Sequence, residues 1–465
     1  MKVFLLGLLA VFWSSAALGQ TLYTFNGGGT TGNWNNASTW TTDPTGSTRV
    51  SPRVPSANDN VVITNSYVVT VNSAITTTGL KLTIQRGGVL DLTSGAATLA
   101  QLSSLSGQGT LRIAAPYFPA IDTGNNNFDD ANTGTVEFYN WGATAALPNP
   151  TSGQYNNVRL LNSTTTAYTA QLDNNLTLTG NLTLTTTNPA STTPLVNFNL
   201  GKSTATPTAR TLTVQGDINV GASTTLGVTN VGALHTLNAG GSFINSGTVS
   251  LYNSQTQNAL LNFTGNTDAN FACNGPTDLS VLQLNKGIDG QVLLNITATV
   301  AQGGASASNL RLLNTQDGID RLNLINGIAK LGNNIILPQI HNGNTAGTGF
   351  TIGSTSTNPT LWIDGATLTN NNANGTAVYG MFRISSGRYN NLTPDAMVVR
   401  EDGQILIEGG ETYVDRFRPS NTSSIHRGSF IITGGLFCCR GTSSAPRNTD
   451  YARFSIPLLT QSFRM

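Results

Sequence analysis

Three short apolar alternations recur at one interval early in the chain: Val69-Thr70-Val71, Leu90-Asp91-Leu92 and Leu111-Arg112-Ile113, with 90 − 69 = 21 and 111 − 90 = 21. A second rank keeps the same step, Val61-Val62-Ile63 and Leu82-Thr83-Ile84, with 82 − 61 = 21. The outer residues of each triplet are apolar and the middle one is mostly polar, the period of a strand with one buried face. Two strand-length patterns that repeat together predict a coil stacking on copies of itself. The chain is therefore expected to be all-β: a right-handed parallel β-helix (β-solenoid) with coils of about 21–25 residues. The right hand follows from the general chirality of parallel crossover connections.

Composition narrows the partners. Only 10% of the 465 residues are charged and the formal net charge is +1. The near-zero net charge argues against a nucleic-acid partner, which requires a basic face to neutralise phosphates. Charged helix formers are scarce, whereas β-branched residues and turn formers abound, so helix is expected to be minor. The length would suggest several compact domains, but a solenoid core grows along one axis. At about 22 residues per coil, the chain predicts roughly 20 coils.

Residues 1–19 read as a secretory signal peptide. Lys2 supplies the positive end, and Val3–Trp13 is apolar but too short to span a bilayer. Ala17-Leu18-Gly19 places cleavage before Gln20, so the chain is expected to be secreted or at the cell surface, with no membrane span in the mature protein. Residues 20–60 differ in pattern from the repeating part of the chain and are expected to cap the solenoid. A solenoid end exposes apolar core and open strand edges, and Trp34 and Trp40 are suited to lid the first coil; stacking on sugar rings is the competing role.

The β-helix is expected over residues 61–465. Its rungs include Gly134–Asn140, Tyr155–Leu160, Leu176–Leu184, Leu212–Val214, Val249–Leu251, Leu261–Phe263, Leu282–Leu284, Leu310–Leu312, Leu322–Leu324 and Ile335–Leu337. Spacing is irregular between about Thr185 and Thr360, which predicts loops of variable length. Regularity returns with Leu361–Ile363, Phe382–Ile384, Ile405–Ile407, Phe430–Ile432 and Phe454–Ile456, spaced 21, 23, 25 and 24 apart. No polar capping stretch comes after Phe454–Phe463, so the expectation is a truncated piece of a longer protein.

Two blocks carry a resemblance. Gly32-Asn33-Trp34, Thr39-Trp40 and Pro55-Ser56-Ala57-Asn58-Asp59-Asn60-Val61-Val62-Ile63 form one. Gly134-Thr135-Val136-Glu137-Phe138, Tyr155–Leu160 and Leu176–Leu184 form the other, and Phe430–Met465 looks like a further coil of the same kind. Together they resemble large secreted bacterial surface proteins with adhesin-like repeats, commonly cargo of the type IX secretion system in Bacteroidota. The resemblance implies export and a surface role. Such proteins usually end in a small β sorting domain, which is not expected within these 465 residues, in keeping with the expected truncation.

No catalytic signature stands out. His235, His341 and His426 are isolated, with no Ser or Cys elbow near them. No Cys/His spacing supports a metal site, and no cofactor is expected. Cys438 and Cys439 are adjacent on a strand, so only one can face the core; Cys273 is remote, and a disulfide from it is not expected. The densest acidic set is Glu401, Asp402, Glu408, Glu411 and Asp415, followed by Arg416 and Arg418. On neighbouring coils these could hold Ca²⁺ or place an acid and a base about 5–9 Å apart; the preferred reading is a solvated turn with one Arg–carboxylate pair. Asp317-Gly318-Ile319-Asp320-Arg321 is a weaker acidic spot. Asn, abundant at turns, is expected to ladder along one corner.

The expected function is a non-catalytic surface scaffold in adhesion or matrix contact, with extracellular polysaccharide or surface glycans as partners. The alternatives are a carbohydrate-active enzyme with a groove on the helix, and a passive carbohydrate-binding module using Trp362 or Trp141. Trp362 holds the middle of its triplet and should point outward. Nothing in the sequence sets an oligomeric state.

Overall fold

A computed structural model describes residues 19–150, 152–202, 207–228, 233–300, 308–316, 319–342, 349–371, 374–400, 402–419 and 428–439. The expected signal peptide, Glu401, His426 and the last rung therefore lie outside the described residues, apart from Gly19. Almost all regular structure is β, in parallel sheets stacked as a β-solenoid of about 14 turns. The chain forms two compact units, residues 1–112 with 119–128, and residues 113–118 with 129–465.

In the first unit the 21-residue step is the coil. Val61 is in register with Leu82, and Val69 with Leu90. The alternation does what a half-buried strand requires: Val61, Ile63, Val69, Val71, Leu90 and Leu92 are fully buried. Burying such a side chain contributes about 1.5–3 kcal/mol. The lead-in segment joins the stack. Thr21–Thr24 pairs in parallel with Asn60–Ile63, and Thr31–Asn33 with Val68–Val71. Trp40–Thr41 then pairs antiparallel with Thr21–Thr24 and occupies the edge that the first strand would otherwise leave open.

In the second unit each coil gives one strand to each of three parallel ranks. One coil contributes Asn157–Asn162, Tyr168–Gln171 and Leu176–Leu178; the next contributes Leu182–Thr186, Val196–Asn199 and Thr211–Val214. Register partners measure the coils. Leu160↔Leu184, Val220↔Asn245 and Phe271↔Ile296 give 24, 25 and 25 residues. Leu184↔Val220, Ile296↔Leu331 and Leu331↔Ile363 give 36, 35 and 32. These long coils fall in the stretch of irregular spacing, and they are one reason the stack has about 14 turns rather than roughly 20. The closing run keeps 21, 23 and 25.

The interior is a column of aliphatic and aromatic side chains. Phe271 lies 5.3 Å from Phe243 and 5.1 Å from Phe263 between ring centroids, and all three are fully buried. Late in the unit the corners tighten until one strand runs through them, as in Thr360–Asn370 and Met381–Val399. The backbone bends at Gly365, φ 108°, where a Cβ would stand 1.8 Å from the Asn333 side-chain oxygen.

Asparagine does two separate jobs. At corners it satisfies backbone groups: the Asn245 amide donates to the Pro276 carbonyl at 2.9 Å, and its oxygen accepts from Gly247 N at 3.0 Å. The ladder itself runs along a strand face instead of a corner. Asn238 donates to Thr213 Oγ1 (3.2 Å), Asn262 to Asn238 (2.9 Å), Gln283 to Asn262 (3.0 Å) and Asn323 to Gln283 (2.8 Å), each between register partners.

Candidate functional site

Trp362 sits in a rank of outward positions, in register with Lys330 on the preceding coil and Arg383 on the next. The ring is half-buried. Lys330 Nζ lies 4.4 Å from its centroid and Arg383 Cζ 3.9 Å, so cations from both neighbouring coils stack on the indole. Its Nε1 donates to Ser385 Oγ at 2.8 Å. Carboxylates then neutralise the cations: Lys330 reaches Asp364 at 2.9 Å, and Arg383 reaches Glu408 at 2.7 and 3.3 Å. The Lys330 ammonium, helped by the Ser385 and Ser386 hydroxyls, holds Asp364 below the usual carboxylate range. The outward position of Trp362 is therefore real, but its ring is engaged on the stack.

Trp141 packs edge-on to Phe138, 5.4 Å between centroids, and lies 5.5 Å from Tyr168. It is half-buried, with a buried indole nitrogen that has no hydrogen-bond partner among the described residues. Trp34 and Trp40 are buried against each other, 5.2 Å apart, and Trp40 Nε1 donates to the Trp34 carbonyl at 2.9 Å. Neither of these last two rings is open to a sugar.

The described members of the acidic set do not gather into one site. Glu408 and Glu411 are clamped by Arg383 and Arg388 respectively, and Tyr413 also donates to Glu411 at 3.2 Å. Asp415 is buried, with Arg416 Nε 3.7 Å away. Asp402 lies elsewhere, in a groove. More than one Arg–carboxylate pair thus crosses coils here, where one was expected. Among the described residues, no three His, Cys, Asp or Glu side chains gather as a metal site would require. No helix among them is long and apolar enough to cross a membrane.

Cys273 is buried, and burial pushes its thiol up to about 12. Cys438 is in register with Tyr413 and Cys439 with buried Val414, so the pair does present opposite faces, although Cys439 itself is exposed. His235 is buried and accepts from Arg210 N at 3.1 Å; burial, then the Arg210 charge, hold it below its ordinary value.

Sequence reasoning missed one constellation. His341 Nδ1 is hydrogen-bonded to Asp320 Oδ1, and His341 is 1% exposed, with an Nε2 that has no partner among the described residues. Burial raises the Asp320 carboxyl above its ordinary range. The two residues face each other across an antiparallel bridge, whereas the coils here measure 35 and 32 residues, so no coil step in the sequence pairs them. An imidazole oriented by a carboxylate is the geometry of a general base, but this one faces the interior. Comparisons with protein-family models, curated proteins and solved structures found no match.

Proposed function

We propose that this chain is an extracellular β-solenoid scaffold of the adhesion or matrix-contact kind, without catalytic activity of its own. One observation carries the reading: the polar and charged side chains on its outward faces are largely engaged in fastening one coil to the next. The amide ladder from Thr213 to Asn323 is the longest case. Ion pairs repeat it: Arg112–Asp91, Arg159–Glu137, Arg311–Asp278, Arg383–Glu408 and Arg388–Glu411 each join neighbouring coils. Single exposed pairs contribute little, about 0–1 kcal/mol. Distributed along a stack, they favour a stiff, regular surface over a reactive centre. The signal-peptide pattern and the resemblance to secreted surface proteins support export.

The test is binding of purified residues 20–465 to a panel of matrix polysaccharides and to intact bacterial surfaces. Saturable binding to either supports the reading. Binding to neither, by a folded protein, overturns it.

A further inference from the structure

Two of the segments that lengthen the coils meet beside the solenoid. The segment around Ile288–Gly290 comes after one strand, and the Ser354–Asn358 turn precedes another; with Tyr379 and Asp402 from later coils they enclose a groove of about 390 Å³. That volume is within the range of small-ligand sites, about 300–1,000 Å³. The walls are preformed. Gly290 has φ 73°, and a Cβ there would stand 2.4 Å from the Asn358 carbonyl, so only glycine lets the two segments close on each other. The turn is tied by Ser354 N donating to Thr357 Oγ1 at 3.0 Å.

Three features of the lining bear on what it can bind. Asp289 and Asp402 have no cation partner among the described residues, whereas the carboxylates beside Trp362 are paired across coils; Asp289 accepts from Gln291 N at 3.1 Å. Ile288 is 94% exposed at the rim, a large apolar side chain that no described residue covers. Tyr379, half-buried, brings an aromatic ring with the Arg400 guanidinium 5.9 Å from its centroid. Hydroxyls and amides fill the remainder.

We infer that this groove binds a glycan carrying free amino groups, of the glucosamine type, with Asp289 and Asp402 taking the ammonium groups. Ile288 and Tyr379 meet the apolar faces of the sugar rings, and the Ser354–Asn358 turn takes the sugar hydroxyls. A neutral glycan would leave both carboxylates without a counter-charge; a plain cationic peptide would make no use of the hydroxyl-rich wall. The inference rests on the glycan-contacting scaffold role and names its site.

Titration of the protein with short glucosamine oligomers, at mildly acidic pH where the sugar amine is charged, tests it. Binding is expected. N-acetylated oligomers of equal length should bind about tenfold more weakly or worse, as should the D289N and D402N variants with the free-amine oligomer. All three positions tested by mutation, including I288S, are exposed, and circular dichroism verifies the fold of each variant. Oligolysine binding as tightly as the oligomers, or a D289N/D402N double variant with unchanged affinity, overturns the inference. Binding of other polysaccharides without glucosamine oligomers overturns the groove assignment and leaves the scaffold role standing. No binding of any glycan or surface overturns both. Cleavage that D289N or D402N abolishes keeps the groove and overturns the non-catalytic role.

Discussion

The Lys286 ammonium donates to the carbonyl of Gly240 at 3.0 Å, reaching across the Thr264 carbonyl of the intervening coil, to which it donates at 2.6 Å. The side chain is fully buried, so one charge holds three successive coils through carbonyl oxygens alone among the described residues.

Lys286→Met should therefore destabilise the protein. It strips a donor from the buried Gly240 carbonyl, worth about 1–3 kcal/mol, and from the half-buried Thr264 carbonyl, and relieves part of the penalty of burying a charge. The expected net loss is about 1–3 kcal/mol, read by urea unfolding. The pH dependence has a definite sign. Burial lowers the Lys286 value below its ordinary 10.5, so the folded state binds this proton more weakly than the unfolded chain. Wild-type stability relative to Lys286→Met should then rise with pH through the window below 10.5. A flat difference would contradict the assignment.

Asn262 is the middle of the amide ladder, donating to Asn238 and accepting from Gln283. Asn262→Ala removes both bonds and should lower stability by about 1–2 kcal/mol. Asn262→Asp keeps only the acceptor and sets a carboxylate against the Asn238 oxygen, so it should be at least as damaging at neutral pH. Thermal unfolding of both variants measures this.

Leu90 is fully buried in register with Val69. Leu90→Asp places an unpaired carboxylate in a dry core and should destabilise by more than about 3 kcal/mol, or prevent folding. Wild-type thermal stability in this variant would mean that the register is wrong. Glu408→Gln weakens one exposed ion pair with Arg383 and should change stability by less than about 1 kcal/mol.

Trp362→Ala removes the ring between Lys330 and Arg383, and about 1–2 kcal/mol of stability should go with it. Glycan affinity should be unchanged, because both cations already occupy the indole. A selective loss of glycan binding would return Trp362 to the role of a sugar platform.

The fold was legible where one face repeats without interruption. Val61 to Leu82 and Val69 to Leu90 each compare equivalent strands, so the interval read directly as a coil. Between Thr185 and Thr360 the triplets came from different ranks. Leu261–Phe263 lies in one rank and Leu310–Leu312 in another, so their separations mixed coil lengths with corner lengths. The candidate site was less legible for a related reason. An outward position for Trp362 follows from alternation, but Lys330 and Arg383 stack on it only because coils of 32 and 21 residues set them in register. Asp289 and Asp402 meet in one groove through loop geometry, which no period encodes.

The most direct test of the central claim is to incubate the purified chain with a polysaccharide panel while recording bound protein and new reducing or unsaturated ends in the same samples. Binding with no new ends is the predicted result. New ends that appear with the wild type, and disappear when a carboxylate of the groove or of the Glu408 cluster is neutralised, would contradict it.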